Sequence, residues 1–234
     1  MEGNNMISKE ELKEYAKATG LNLGQAEKDY FQNILLFIIY QAYSTGVIFK
    51  GGTALKKCFG LNRFSEDLDF LFIRHSRGAA RELETVLNDL SKREEGLLLK
   101  EVYEKRQTLF GLLRITHSLL KHPIHIKIEI SKKKNGVIKE NRLLSSSVSP
   151  RTCIFPVATL ASLMELKEKA IRGRNLPRDW FDYWYIHERM GLPAKNLPHP
   201  FPFKETLFRN ELKRWIPQRD WKLIDTVIHD FQNA

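Results

Sequence analysis

The sequence predicts an α+β fold, with a central mixed sheet, N-terminal helices and a helical C-terminal half. Three observations carry this. Phe31, Ile34, Leu35, Ile38, Ile39 and Ala42 recur at helical period within residues 26–43. Ile124, Ile126, Ile128 and Ile130 alternate strictly with His125, Lys127 and Glu129, the period of a half-buried strand. From Val157 onward the apolar spacing is helical to the end of the chain.

The elements follow in order. Ser8-Lys9-Glu10-Glu11 is a capping-box pattern, opening a helix that Gly20 should end. Asn22 to Gln25 repeats the signal before the long core helix, where Tyr40 and Tyr43 read as packing residues. Val47-Ile48-Phe49 is a short buried strand closed by Gly51-Gly52, with a helix starting at Thr53. Leu68 to Ile73 is a second strand, and Gly78 to Leu90 a helix. Strands are expected at 97–102, 108–115 and 124–130. Asn135-Gly136 then suggests a tight turn into Val137-Ile138, a lysine-tipped hairpin. Helices are expected at 157–171, 179–190, 204–215 and 219–232, with the proline-rich stretch 191–202 as a connector. The chain divides into residues 1–150, a catalytic core with N-terminal helices, and residues 151–234, a helical region completing a cleft.

Composition narrows the function classes. Of 234 residues, 42% are hydrophobic and 28% charged, which fits a folded domain with a real core. Two cysteines, Cys58 and Cys153, make neither a disulfide scaffold nor a zinc pair. No apolar run approaches a membrane span, and the acidic N-terminus is not that of a signal peptide, so a soluble cytoplasmic protein is expected. The net charge is +10, and its distribution is uneven. Residues 1–75 hold nine basic and nine acidic side chains, so the excess lies in residues 76–234. It is densest from Lys121 to Arg151, around Lys132, Lys133 and Lys134, which suggests a polyanionic partner.

Two segments carry the chemistry. A strand ending in Gly51-Gly52 at a helix start presents open backbone N–H groups at a positive helix end, an anion cradle suited to phosphate. Asp67 and Asp69, at i and i+2 on a strand, point the same way among Leu68, Phe70, Leu71 and Phe72. Two such carboxylates repel unless a cation lies between them, and Mg²⁺ is the ion that hard oxygens and phosphates share. Glu129, on the polar face of the alternating strand, is available as a third acid, which together suggests a two-metal phosphoryl-transfer site.

These residues resemble the signature of the AbiEii/AbiGii-type nucleotidyltransferase toxins, within the DNA polymerase β-like nucleotidyltransferase superfamily. Gly51, Gly52 and Thr53 match its first motif, Ser65, Asp67 and Asp69 its second, and Lys127-Ile128-Glu129 its third, with Glu where the superfamily more often has Asp. Lys167, Ala170, Arg174, Arg178, Asp179 and Asp182 resemble its later pattern, and Glu27 to Tyr30 a run before the core helix. The resemblance spans about residues 27–186. It implies a polymerase β-like core and Mg²⁺-dependent transfer of a nucleoside monophosphate from an NTP, with two Mg²⁺ ions. Asp67 and Asp69 would hold metal, and Glu129 would bind the metal nearer the attacking hydroxyl or help to deprotonate it. Gly51, Gly52, Thr53, Lys57, Ser65 and Lys167 would bind nucleotide. Asp179 is preferred over Asp182 as the functional late carboxylate; the alternative is a capping pair with Asp182 in a surface salt bridge. Lys127, Lys132, Lys133, Lys134, Arg174 and Arg178 are the candidates for holding an RNA acceptor, tRNA foremost, and a toxin role implies an antitoxin partner.

Other features point elsewhere or nowhere. His75, His117, His122 and His125 lack the spacing of a zinc helix, and no P-loop motif is present. Trp180, Phe181, Tyr183, Trp184 and Tyr185 read as core packing. Two competing readings keep the residues and change the role: nucleotidylation of a protein side chain, or a non-catalytic nucleotide- or RNA-binding module.

Overall fold

A computed structural model describes residues 7–43, 46–73, 78–94, 96–116, 123–132 and 136–234. Helix α1 (Lys9–Thr19) begins on the expected capping box: the Ser8 hydroxyl accepts from the Glu11 N–H, and the Glu11 carboxylate accepts from the Ser8 N–H. Gly20 closes it at φ 72°, a left-handed turn that glycine adopts freely. Ser8→Ala should therefore cost about 1 kcal/mol, read as a lower urea midpoint at unchanged slope. α2 (Leu23–Tyr43) follows, with Phe31, Ile34, Leu35 and Ile39 buried.

Among the described residues, seven strands form one sheet in the order β3-β4-β5-β2-β1-β7-β6. They are β1 (Val47–Lys50), β2 (Leu68–Phe72), β3 (Leu97–Lys105), β4 (Thr108–Ile115), β5 (Ile124–Ser131), β6 (Lys139–Ser146) and β7 (Ser149–Ala158). β2 runs parallel to β5, and β1 parallel to β7, while the remaining pairs are antiparallel, so the sheet is mixed. α3 (Gly51–Phe59) joins β1 to β2, and α4 (Ala79–Arg93) packs on β3 and β4. Phe49, Phe70 and Phe155, from β1, β2 and β7, meet at ring separations of 5.2–5.9 Å in the core.

Three expectations need correction. The segment before α5 is extended: β7 runs to Ala158, and α5 (Leu160–Gly173) starts at the Thr159 cap rather than at Val157. The strand carries two prolines, and Pro156 hides the β pattern because it donates no ladder hydrogen bond. The hairpin after β5 does not form. Its lysine tip, residues 133–135, lies outside the described residues, but β6 pairs with β7, three strands away from β5. The sheet also runs on past residue 150, since β7 spans it.

The C-terminal half is α5, α6 (Pro177–Arg189), α7 (Glu205–Leu212) and α8 (Lys222–Gln232). Trp180 of α6 packs edge-on against Phe201, Phe203 and Phe231. Trp180, Phe181, Tyr183 and Trp184 are all buried, so they are core residues, and residues 197–231 form the aromatic buttress behind α6. No helix among the described residues is long and apolar enough to cross a membrane.

Candidate active site

Pairing register builds the site. Lys50 on β1 stands opposite Asp69 on β2, and Asp69 opposite Glu129 on β5. Glu129 in turn faces Phe110 on β4, and Phe110 faces Tyr103 on β3. Paired residues project from one face of a sheet, so these five side chains form a single transverse row. Asp67 and Lys127, each two residues before a member of the row, share its face. Gly111, next to Phe110, lies on the other side, against Leu83 and Leu87 of α4.

The Asp67 end of the segment is held from beneath. The Gln32 side chain, buried on α2, donates to the Ser65 and Glu66 carbonyls, both at 2.9 Å. The Thr53 hydroxyl donates to the Asp67 carbonyl at 2.5 Å. Thr53 is fully buried and positions the acidic strand: its hydroxyl is engaged by the Asp67 carbonyl and does not line the cleft, where the sequence expectation put it on the nucleotide. Lys57 departs further. Its ammonium lies on Asp29 and Asn33, between α2 and α3, remote from the cleft. Burial outweighs the Asp29 charge there and pulls Lys57 down to about 8.

A cleft of about 560 Å³ lies between this face and the helices. One side is the start of α3, which no side chain caps, so its first N–H groups point outward at the positive end of the helix. Gly51 sits at φ 80°, and a Cβ there would come 2.5 Å from Asp69 Oδ2. A Cβ on Gly52 would come 2.5 Å from Arg63 Nη2 and 2.8 Å from Ser65 Oγ. Only glycines let a carboxylate, a guanidinium and a hydroxyl crowd this helix start. Gly51→Ala should cost about 1–2 kcal/mol, while Gly173→Ala, with open space at its Cβ, should cost nothing. Denaturant melts of the two variants check the contrast.

The opposite wall is a chain of alternating charges. Arg63 donates to Asp182 at 2.5 and 2.6 Å; Lys167 reaches Asp182 at 2.5 Å and Asp179 at 2.9 Å; Arg174 grips Asp179 at 2.6 and 2.7 Å. Both aspartates are fully buried, while Arg63, Lys167 and Arg174 line the cleft. Burial alone would raise the Asp179 carboxyl, but the Arg174 hydrogen bonds and the Lys167 charge outweigh it and bring it to about 2. For Asp182, burial is likewise overcome by Arg63 and Lys167, and the carboxyl is lowered. Asp182 is no surface salt bridge, and Asp179 faces its cations rather than the cleft. Arg63, like Gln32, has no sequence signature, because the partner it holds lies 119 residues away.

Of the acceptor candidates, Lys127, Arg174 and Arg178 line the cleft. Lys132 is tied to Glu104 and to the Lys105 carbonyl, and Lys133 and Lys134 lie outside the described residues. Lys127 is placed among the acids, 2.9 Å from Glu129 and 3.8 Å from Asp67. Burial raises the Asp67 carboxyl; the Lys127 charge opposes that and Asp69 reinforces it, leaving a net rise.

A divalent cation fits this donor set. Among the described residues no three histidine, cysteine or carboxylate groups close into a cage. Mg²⁺ in a nucleotide site needs only one or two protein carboxylates, with phosphates and water supplying the rest. Asp67 and Asp69 share a face beside the anion cradle, and the Lys127 ammonium already occupies the acidic face as a cation.

Comparison with known proteins follows the same line. The family model described as "Nucleotidyl transferase AbiEii toxin, Type IV TA system" matches residues 34–223. It runs past the 186 limit of the sequence resemblance and begins after Glu27–Tyr30. No curated protein matches the chain. Among solved structures, MenT4, a nucleotidyltransferase toxin of Mycobacterium tuberculosis H37Rv, is similar at a TM-score of 0.57 and 22% identity, over 87% of this chain and 68% of that one. JHP933 from Helicobacter pylori is similar at 0.47 and 20%, over 86% and 77%.

Proposed function

This chain belongs to the AbiEii nucleotidyl transferase toxin family of type IV toxin–antitoxin systems, and from that we propose that it moves a nucleoside monophosphate from an NTP to RNA, with tRNA as the foremost acceptor. The observation that carries the reading is the row Lys50–Asp69–Glu129 laid against the open start of α3 and faced by Arg63, Lys167 and Arg174. The reaction runs in the cytoplasm, where both substrates are found, and an antitoxin partner restrains it.

Gly51, Gly52 and Ser65 receive the triphosphate at the helix end. Asp67, Asp69 and Glu129 would hold Mg²⁺, which when bound would supply charge neutralisation and polarisation of the α-phosphoryl group. The acceptor hydroxyl gives its proton to Glu129 as its oxygen bonds the α-phosphorus. The bond to the β-phosphate oxygen breaks, and pyrophosphate leaves toward Lys167, Arg63 and Arg174, three cleft-lining cations set on two buried aspartates. Residues 1–150 thus supply the acids, the cradle and Arg63, and residues 151–234 supply Lys167, Arg174 and the aspartates that hold all three cations. Asp179 and Asp182 act through those cations as positioning residues.

The test is incubation with each α-³²P-labelled NTP, Mg²⁺, total RNA and cell-extract proteins. Label on RNA in the tRNA size range is expected. Label on protein alone would replace the acceptor and keep the chemistry; no label on either would leave a binding module.

A further inference from the structure

The row of side chains does not stop at the third acid. Beyond Glu129 it continues into Phe110 and then Tyr103, a cross-strand pair whose rings are stacked at 4.5 Å with 29° between planes. Both residues are only half-buried. Cations flank the stack at each end: the Lys127 ammonium lies 5.9 Å from the Phe110 ring centre, and that of Lys105 lies 5.1 Å from Tyr103. Beside them, Arg106 is exposed at the two-residue turn that joins β3 to β4.

An aromatic pair across two strands stabilises a sheet on its own account. Three features here go further. The pair lies on the site's face, away from α4. It is one strand removed from the residue placed at the attacking hydroxyl. And it combines flat π faces with positive charge, the combination by which proteins hold single-stranded nucleic acid: bases on rings, phosphates on lysines.

We infer that Phe110 and Tyr103 form a stacking platform for the unpaired bases at the acceptor end of RNA, delivering its terminal hydroxyl to Glu129. This rests on the nucleotidyl-transfer reading and specifies how its acceptor is held: by an unpaired end, irrespective of base identity, since every base offers a π face.

The experiment uses the full chain and a fluorescent 12-nucleotide single-stranded RNA, read by anisotropy at several salt concentrations, together with NTP binding and label transfer. Phe110→Leu keeps the apolar cover and removes the π face. It should weaken RNA binding by about 5- to 100-fold, raise the KM for RNA, and leave NTP affinity and the salt slope as in wild type. Phe110→Trp should restore binding. Lys105→Ala should instead lower the salt slope by about one. Wild-type RNA affinity and KM in a Phe110→Leu protein that still labels RNA would overturn the platform while leaving the transfer reading intact. A wild-type chain that binds no RNA and labels only protein would overturn both. A blunt-ended duplex bound as tightly as the single strand would also overturn the platform.

Discussion

Asp67→Asn and Asp69→Asn should each lower nucleotidyl transfer by about 10³-fold or more, with melting temperatures within about 2 °C of wild type. The two carboxylates project together from the end of β2, where burial and each other's charge raise Asp67. Their cost to the folded chain is tolerated because Lys127 lies close by. Removing one negative charge relieves repulsion, so stability is spared while the reacting centre loses a ligand. Single-turnover kinetics on RNA with saturating NTP, beside thermal melts, separate the two effects. A variant keeping a tenth of the wild-type rate would remove that aspartate from the centre.

Asp182→Ala should do the opposite and undermine the fold itself. Its carboxylate is fully buried and balances Arg63 and Lys167, themselves nearly buried. Leaving two buried cations with one fewer counter-charge should cost about 3–5 kcal/mol, roughly a 10 °C fall in melting temperature for a chain of this size. Asp225→Ala, at the exposed pair with Arg209, should cost less than about 1 kcal/mol. Arg63→Met combined with Asp182→Leu should recover stability without recovering transfer. The same network sets acid behaviour. Asp179 and Asp182 have carboxyls lowered from the ordinary 3.8, Asp179 to about 2. A carboxyl depressed in the folded state gives its full contribution above pH 4 and loses it as pH falls toward 2. Equal urea midpoints at pH 5 and pH 2.5 would contradict this.

Much of the fold could be read from residue pattern. The capping box at Ser8, the alternation of 124–130 and the helical period of 26–43 are local signals, and each element formed where those signals stand. β6 and β7 were illegible for a local reason too: Lys-Glu-Asn-Arg has no apolar alternation, and Pro150 and Pro156 argue against a strand. At the site, spacing alone brought out Asp67 and Asp69, because i and i+2 share a strand face. What spacing cannot convey is which atoms are already engaged. Thr53 sits in a phosphate-loop position, yet its hydroxyl is bound to the Asp67 carbonyl. Lys57 sits on the same helix, yet it faces Asp29. Arg63 and Gln32 had no sequence signature, since both act through contacts made across the fold.

The transverse row has a consequence in time. Its members come from five strands spread over residues 50–129, and the cations that face it hang on Asp179 and Asp182, in a helix buttressed by residues up to 231. A slip of one residue in β5 would turn Glu129 to the opposite face and put an isoleucine in its place. Only the Tyr103–Phe110 pair belongs to a local hairpin; the pairings that join Lys50, Asp69 and Glu129 link more distant segments, so no single local folding event assembles the centre. A ribosome-bound chain that has emerged as far as residue 150 holds all three acids and Arg63, but neither Lys167 and Arg174 nor the two aspartates that hold these cations in place. The acids therefore precede most of their facing charge in the order of synthesis, and the cleft is complete only once α5 and α6 have packed against the sheet.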